Sequence, residues 1–471
     1  MNFFWLATAS LIIRLGFARF TAFGLDEAYL ADRFADPSVW PTSGGIVAYD
    51  GSLRLGTMLT WLCGVPIKLA GGSPLGGMLA LSLYGFIEAV VVAKIYEEIF
   101  RDHDRKNLWA LILFAPWTIV FQSLFHASFS PLFGLLFMVG VLRLMRKPND
   151  FWGWALVPFS WLGCFQIGLY FVPLMVVLGL CFWGRILEFK PNLRGALVGA
   201  AVALIPLFSG KFMASELSGY PFLREHPSYG ATSTSPHPYV LKEIIALEQG
   251  PSVVRQSLVT FEISKLLNLP AHAITVLLRF LTFPTGETLR FTGPGLGANI
   301  ELLNQHPWLW VFAPISLGFS VFLVLLGLRF YTNHGLPLKV SQSLFRRKSP
   351  TGFHEKMDLL VWILPFVFAS SFVLSVKGPS AHTFWILWPF AFYPVLRMWS
   401  ARARFFWVYA ASALVFSLGG AIQNSRQLSW HRANQDTHGF HKTGEDSIWG
   451  VVSRGRWLRN QRGLSQPPSS K

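Results

Sequence analysis

The stretch Trp308–Leu328, WLWVFAPISLGFSVFLVLLGL, carries no charged residue and ends on Arg329. A helix needs roughly 17–25 predominantly apolar residues to cross the hydrocarbon of a bilayer, and this run meets that length. Leu108–Leu124, Phe129–Met145, Gly195–Ser209 and Leu359–Val376 repeat the pattern along the chain. Their apolar residues come in blocks rather than at the spacing of a one-sided helix, so these segments read as surrounded by apolar matter on every side.

Composition agrees. Hydrophobic residues make up 52% and charged residues 14%, with a mean hydropathy of +0.43. A soluble domain carries about 25% charged residues, so this chain lacks the polar surface that water requires. The net charge of +16 does not point to nucleic acid. The basic residues punctuate the apolar runs instead of forming one patch: Arg101, Arg105 and Lys106, then Arg143, Arg146 and Lys147, then Arg346, Arg347 and Lys348. Cytoplasmic loops of membrane proteins carry this excess. The three cysteines, Cys63, Cys164 and Cys181, form no disulfide framework. Phe3–Ile13 lacks a basic leader and reads as a retained first span.

The expected fold class is therefore an all-α polytopic membrane protein with about eleven transmembrane helices, its non-cytoplasmic loops carrying interfacial helices. Spans are expected at Phe3–Phe23, Leu75–Ile95, Leu108–Leu124, Phe129–Met145, Gly195–Gly210, Trp308–Leu328, Leu359–Val376, Ala381–Arg397 and Phe405–Ile422. Phe151–Leu187 reads as a tight hairpin turning near Gln166-Ile167-Gly168. Residues 1–422 form one transmembrane domain, with non-cytoplasmic loops at 24–74 and 211–306. Ser52–Leu69, apolar but holding Arg54 and Lys68, suits a helix lying in the interface. Residues 423–471 are a polar tail whose Pro467-Pro468-Ser469-Ser470 end reads as flexible. No internal repeat is visible, against the repeat-built transporter folds.

A few residues could carry chemistry. Asp26 and Glu27 follow the first span directly, where a carboxylate can take a proton from a docked hydroxyl; an ordinary solvated acid is the bland alternative. Arg14 lies inside the first span and Glu88 inside the second. Charges at such depth face a bundle interior and find partners, so the two read as an intramembrane pair, structural in its simplest form. Arg19 is nearer the water and reads as a snorkelling side chain. Lys377 and His382 flank the short turn Gly378-Pro379-Ser380-Ala381 and suit a lipid phosphate, with interface decoration as the alternative. His126 reads as an interface residue. Gly293-Pro294-Gly295-Leu296-Gly297 lacks the strand and helix of a dinucleotide site.

The order of these parts resembles the GT-C superfamily of membrane glycosyltransferases. Arg14-Leu15 ends the first span; Leu25-Asp26-Glu27-Ala28-Tyr29 follows it; Trp40-Pro41 and Gly51-Ser52-Leu53-Arg54 resemble that group's loop helices. Lys377–His382 followed by Trp388-Pro389 is similar to its outer turn before a proline-containing span. Protein mannosyltransferases, lipid A aminoarabinose transferases and glycolipid-anchor mannosyltransferases are the branches it resembles. The resemblance implies a polyprenyl- or dolichyl-phosphate sugar donor and a glycan, lipid or protein acceptor on the non-cytoplasmic side. It implies Asp26 as general base beside Glu27, and Arg54, Lys377 and His382 at the phosphate. The residues by themselves name no cofactor, and the resemblance implies a divalent cation as one option, since some members of the superfamily bind one near this position. One departure stands out: where many relatives carry a second acid, this chain has Phe125-His126-Ala127-Ser128-Phe129-Ser130. A single base with direct displacement would invert the anomeric carbon. A bacterial inner membrane is the expected location ahead of the endoplasmic reticulum. The competing expectation is a transporter or flippase for a lipid-linked glycan, using Arg14 and Glu88 in its pathway.

Overall fold

The computed structural model describes residues 3–20, 58–71, 73–101, 103–120, 124, 126–168, 171–209, 263–285, 303–333, 350, 352–374, 385–399, 402 and 404–433. Among them 87% are helical and none is in a strand, so the described part has no sheet on which a nucleotide-binding domain could be built.

Helix α1 spans Phe3–Phe17 and continues as a 3₁₀ turn, Ala18–Phe20. The π turn Thr60–Gly64 leads into α2, Val65–Leu69. Helix α3, Pro74–Ile99, starts on a Ser73 cap with proline at its first position, where the missing N–H costs nothing. Then come α4 (Arg105–Leu113), α5 (Ser130–Arg146), α6 (Phe151–Ile167), α7 (Phe171–Trp183) and α8 (Leu193–Ser209). The rest are α9 (Leu269–Thr282), α10 (Leu309–Asn333), α11 (Phe353–Ser371), α12 (Trp388–Met398) and α13 (Phe405–Ala433).

Among the described residues, five segments are long and apolar enough to cross a membrane: Leu75–Ile99, His126–Arg146, Leu266–Thr285, Leu309–Asn333 and Phe405–Ile422. Leu193 and Leu197 on α8 and Val311 and Ile315 on α10 are exposed. An outer surface of large apolar side chains suits lipid and not water, and points to a membrane-embedded chain.

The hairpin expected within Phe151–Leu187 is present. It turns at Gly168, and Trp154 of α6 stacks on Phe182 of α7 at 6.1 Å. Helix α8 then lies on α6 so closely that a Cβ on Gly195 or Gly199 would strike the carbonyls of Phe151 and Ala155. Small residues let the two backbones meet, which is how helices associate without a hydrophobic driving force.

One expectation is corrected. Leu108–Leu124 is not one helix: α4 stops at Leu113, and Pro116–Thr118 is a separate 3₁₀ turn. Pro116 has no N–H to continue the ladder and its ring excludes the carbonyl of Ile112. The stretch 211–306, expected as a loop, contains the apolar helix Leu266–Thr285. Its prolines at 270 and 284 frame an apolar run that His272 and Arg279 had disguised.

The ion pairs gather at one end of the bundle. Glu97 meets Arg105 at 3.1 Å, Glu98 meets Arg146 at 3.3 Å, Arg143 meets Asp150 at 2.7 Å and Asp358 meets Arg397 at 3.2 Å. Ring contacts join them, with Phe100 against both His354 and Tyr393 and Arg146 over Phe353. Tyr96 hydrogen-bonds to the Pro389 carbonyl across the same region. These pairs link α3 to α4 and α5, α5 to the start of α6, and α11 to α12.

Candidate functional site: a polar cluster in the bundle interior

Arg14 is fully buried, and so is Ser10 one turn before it on the same face of α1. In an apolar bundle the guanidinium needs partners for its N–H groups. It finds them in backbone. Arg14 Nη2 donates to the Leu113 carbonyl at 2.8 Å and Nη1 to the Thr118 carbonyl at 2.6 Å, while Nε donates to Ser10 Oγ at 3.2 Å. Ser10 Oγ in turn donates to Leu113 at 2.5 Å.

These carbonyls are available because α4 ends early. The last four carbonyls of any helix have no partner within it. In hydrocarbon each would cost several kcal/mol if left bare, on the order of the cost of any unsatisfied backbone group there. Arg14 closes the end at Leu113. Tyr409 of α13 closes it at Leu111, its hydroxyl 2.8 Å from that carbonyl and 3.2 Å from the carbonyl of Pro284. One hydroxyl proton is shared between the two oxygens. The turn Phe283–Thr285 after α9 is buried beside it.

Glu88, on α3, is also buried. Its carboxyl lies in the neighbourhood of Trp388, the first residue of α12, and feels Arg14 at longer range without the direct contact of an ion pair. A helix N-terminus favours a nearby negative charge and a C-terminus a positive one. Glu88 and Arg14 stand at ends of the matching sign, on α12 and α4. Phe283 stacks on Trp388 at 6.4 Å, so the turn after α9 closes this cluster too.

Of the residues singled out from the sequence, the structure places Arg14 and Glu88 in one cluster. Asp26, Glu27, Arg54, Lys377 and His382 lie outside the described residues. Among the described residues no group of three His, Cys, Asp or Glu side chains is placed to hold a metal ion. Ser10, Trp388 and Tyr409 had no partner that the sequence could reveal. The one available signal was the i, i+4 spacing of Ser10 and Arg14. Comparison with known protein families, curated proteins and solved structures finds no match.

Proposed function

We propose that this chain is a multi-pass membrane glycosyltransferase of about eleven spans, moving a sugar from a polyprenyl- or dolichyl-phosphate donor to an acceptor on the non-cytoplasmic side. What supports the reading is that Leu25-Asp26-Glu27 follows in the sequence, a few residues beyond Phe20, a helix that Arg14 bonds into the interior of the bundle. A lipid-borne donor keeps its tail in hydrocarbon and its reacting carbon at the surface. The base must therefore follow a span whose position is fixed, since misplacement of about 1 Å costs on the order of 10²-fold in rate.

In this reading Asp26 takes the proton of the acceptor hydroxyl and Glu27 assists its orientation. Arg54, Lys377 and His382 neutralise the phosphate as it leaves, by direct displacement with inversion. The acceptor is a glycan, lipid or protein, the surrounding lipids are the second partner, and a bacterial inner membrane is the setting.

A transporter or flippase for a lipid-linked glycan is favoured by one observation, the end of α4 inside the bundle. Transporters use the carbonyl ends of interrupted helices to hold a moving cation. Here those carbonyls are taken by Arg14, a cation that cannot leave. That supports the enzyme. Purified protein reconstituted in vesicles with a labelled sugar on polyprenyl phosphate separates the two. Label appearing on an acceptor supports transfer; label crossing the vesicle while still on its lipid supports transport and overturns the proposal.

A further inference from the structure

We infer that Arg14 is a positioning residue: a built-in cation that caps the interrupted helix α4 and thereby sets where the outer end of α1 stands. Its claim on catalysis rests on the glycosyltransferase reading; its claim on the cap does not.

The geometry separates this role from that of one half of a salt bridge. Among the described residues, the guanidinium's hydrogen bonds go to the α4 region and to its own helix: Leu113, Thr118 and Ser10. The two carbonyls bracket the break, one at the last residue of α4 and the other at the end of the 3₁₀ turn. A planar fork can serve two acceptors at once, whereas a lysine ammonium is a point charge on a flexible stem. The break is therefore held open at a fixed width by one side chain. Without that side chain, α1 keeps only apolar contacts and the Ser10 bond on this face, and the helix is free to shift along its axis or rotate.

Tyr409 caps the same end of α4 from the other side, without spanning the break. Its hydroxyl ties Leu111 to Pro284, so α4, the turn after α9, and α13 meet at one point. A crevice opens beside it, lined by Pro116, Thr285, Phe319, Ser412 and Phe416 among others. Arg14 and Tyr409 are near enough to influence each other electrostatically. The cap thus has two members, and removing one places more weight on the other.

The experiment uses full-length protein in detergent or nanodiscs, with Arg14→Lys, Arg14→Ala and Tyr409→Phe alone and Arg14→Lys with Tyr409→Phe together. Two readouts are taken: melting temperature, and sugar transfer resolved into kcat and KM for the donor. Arg14→Lys should stay folded, keep donor KM within about twofold, and lose about 10–100-fold in kcat, because position and not binding is affected. Arg14→Ala should melt several degrees lower and recover with millimolar methylguanidinium, which fits the vacated site, but not with tetramethylammonium, which has no N–H to donate. The double variant should show non-additive melting. Arg14→Lys indistinguishable from wild type in both readouts would overturn the inference. So would additive melting of the double variant, which remains measurable if Arg14→Ala does not fold. If wild-type protein transfers no sugar, the functional reading fails, while melting and methylguanidinium still decide the cap.

Discussion

The Arg14 guanidinium donates to the Thr118 carbonyl oxygen at 2.6 Å, although 104 residues of chain separate them. A charge deep in the first helix is thus satisfied by backbone on the far side of a broken one. The acidic partner that a lone buried arginine suggests, Glu88, acts on it only through the field. The two charges should therefore respond differently to neutralisation. Arg14→Met takes the guanidinium from the Thr118 carbonyl and leaves Leu113 to Ser10 alone, at about 1–3 kcal/mol for the lost donor. Glu88→Gln keeps the size and an acceptor oxygen of the side chain and should cost less than about 1 kcal/mol. Thermal unfolding in one detergent checks this; equal losses would show that the two charges act as a single ion pair.

Close backbone contact makes a second prediction. A Cβ on Gly199 would meet the Ala155 carbonyl, and one on Gly134 would meet the carbonyl of Ile386. Gly179 of α7 has open space around it. Gly199→Ala and Gly134→Ala should each lower the melting temperature, because helix backbone must move apart. Gly179→Ala should leave it unchanged or raise it, by up to about 1 kcal/mol of helix propensity. A common response from all three would deny the close approach of α6 and α8.

Asp150 caps α6 through the Gly153 N–H at 2.7 Å and pairs with Arg143 at the charged end of the bundle. The Arg143 hydrogen bond holds its carboxyl below the usual carboxylate range, with the Gly153 N–H adding to the effect. A depressed pKa contributes stability that is present above the ordinary aspartate value and lost as pH falls through the folded one. Asp150→Asn should be less stable than wild type at pH 7, by about 1 kcal/mol for a lost cap charge, and the gap should narrow as pH falls below the ordinary aspartate value. A gap that persists unchanged at low pH would remove ionisation from the explanation.

Sidedness follows from where the elements end. The turn after α9 is buried at Tyr409 and not among the ion pairs of the charged end, so α9 is expected to enter the bundle without passing through it. Single cysteines at Ala28, Ser228, Ala298 and Ser380, in a background free of Cys63, Cys164 and Cys181, should all react with an impermeant thiol reagent in intact cells. Asn149→Cys should react only after lysis. Labelling of Ser228→Cys with protection of Ala298→Cys would make α9 a crossing helix, and protection at Ala28 would place Asp26 on the wrong side for the proposed donor.

Much of this frame was legible in the sequence. Long apolar blocks marked α3, α5 and α10, and Gly168 between two such blocks marked the hairpin of α6 and α7. Pro116 was also visible, but a proline inside an apolar run does not say whether the helix bends or stops; neighbours that can satisfy the freed carbonyls decide that. Those neighbours are Arg14 and Tyr409, remote in sequence. The acceptors of Arg14 are carbonyls, common to every residue type, so no residue pattern could announce them. Helix α9 escaped notice because its charged positions sit in the longest polar segment, and its apolar neighbours count only once packed on α11.

The central claim is that Asp26 is the base of a sugar transfer. The measurement is the rate at which purified Asp26→Asn moves labelled sugar from a polyprenyl-phosphate donor, with its melting temperature recorded beside wild type. Asparagine preserves shape and hydrogen bonding but cannot take the proton. Transfer should fall by roughly 10²–10⁴-fold at unchanged stability, and Glu27→Gln should lose less. A folded Asp26→Asn protein that transfers sugar at the wild-type rate would contradict the account and leave the transporter reading in its place.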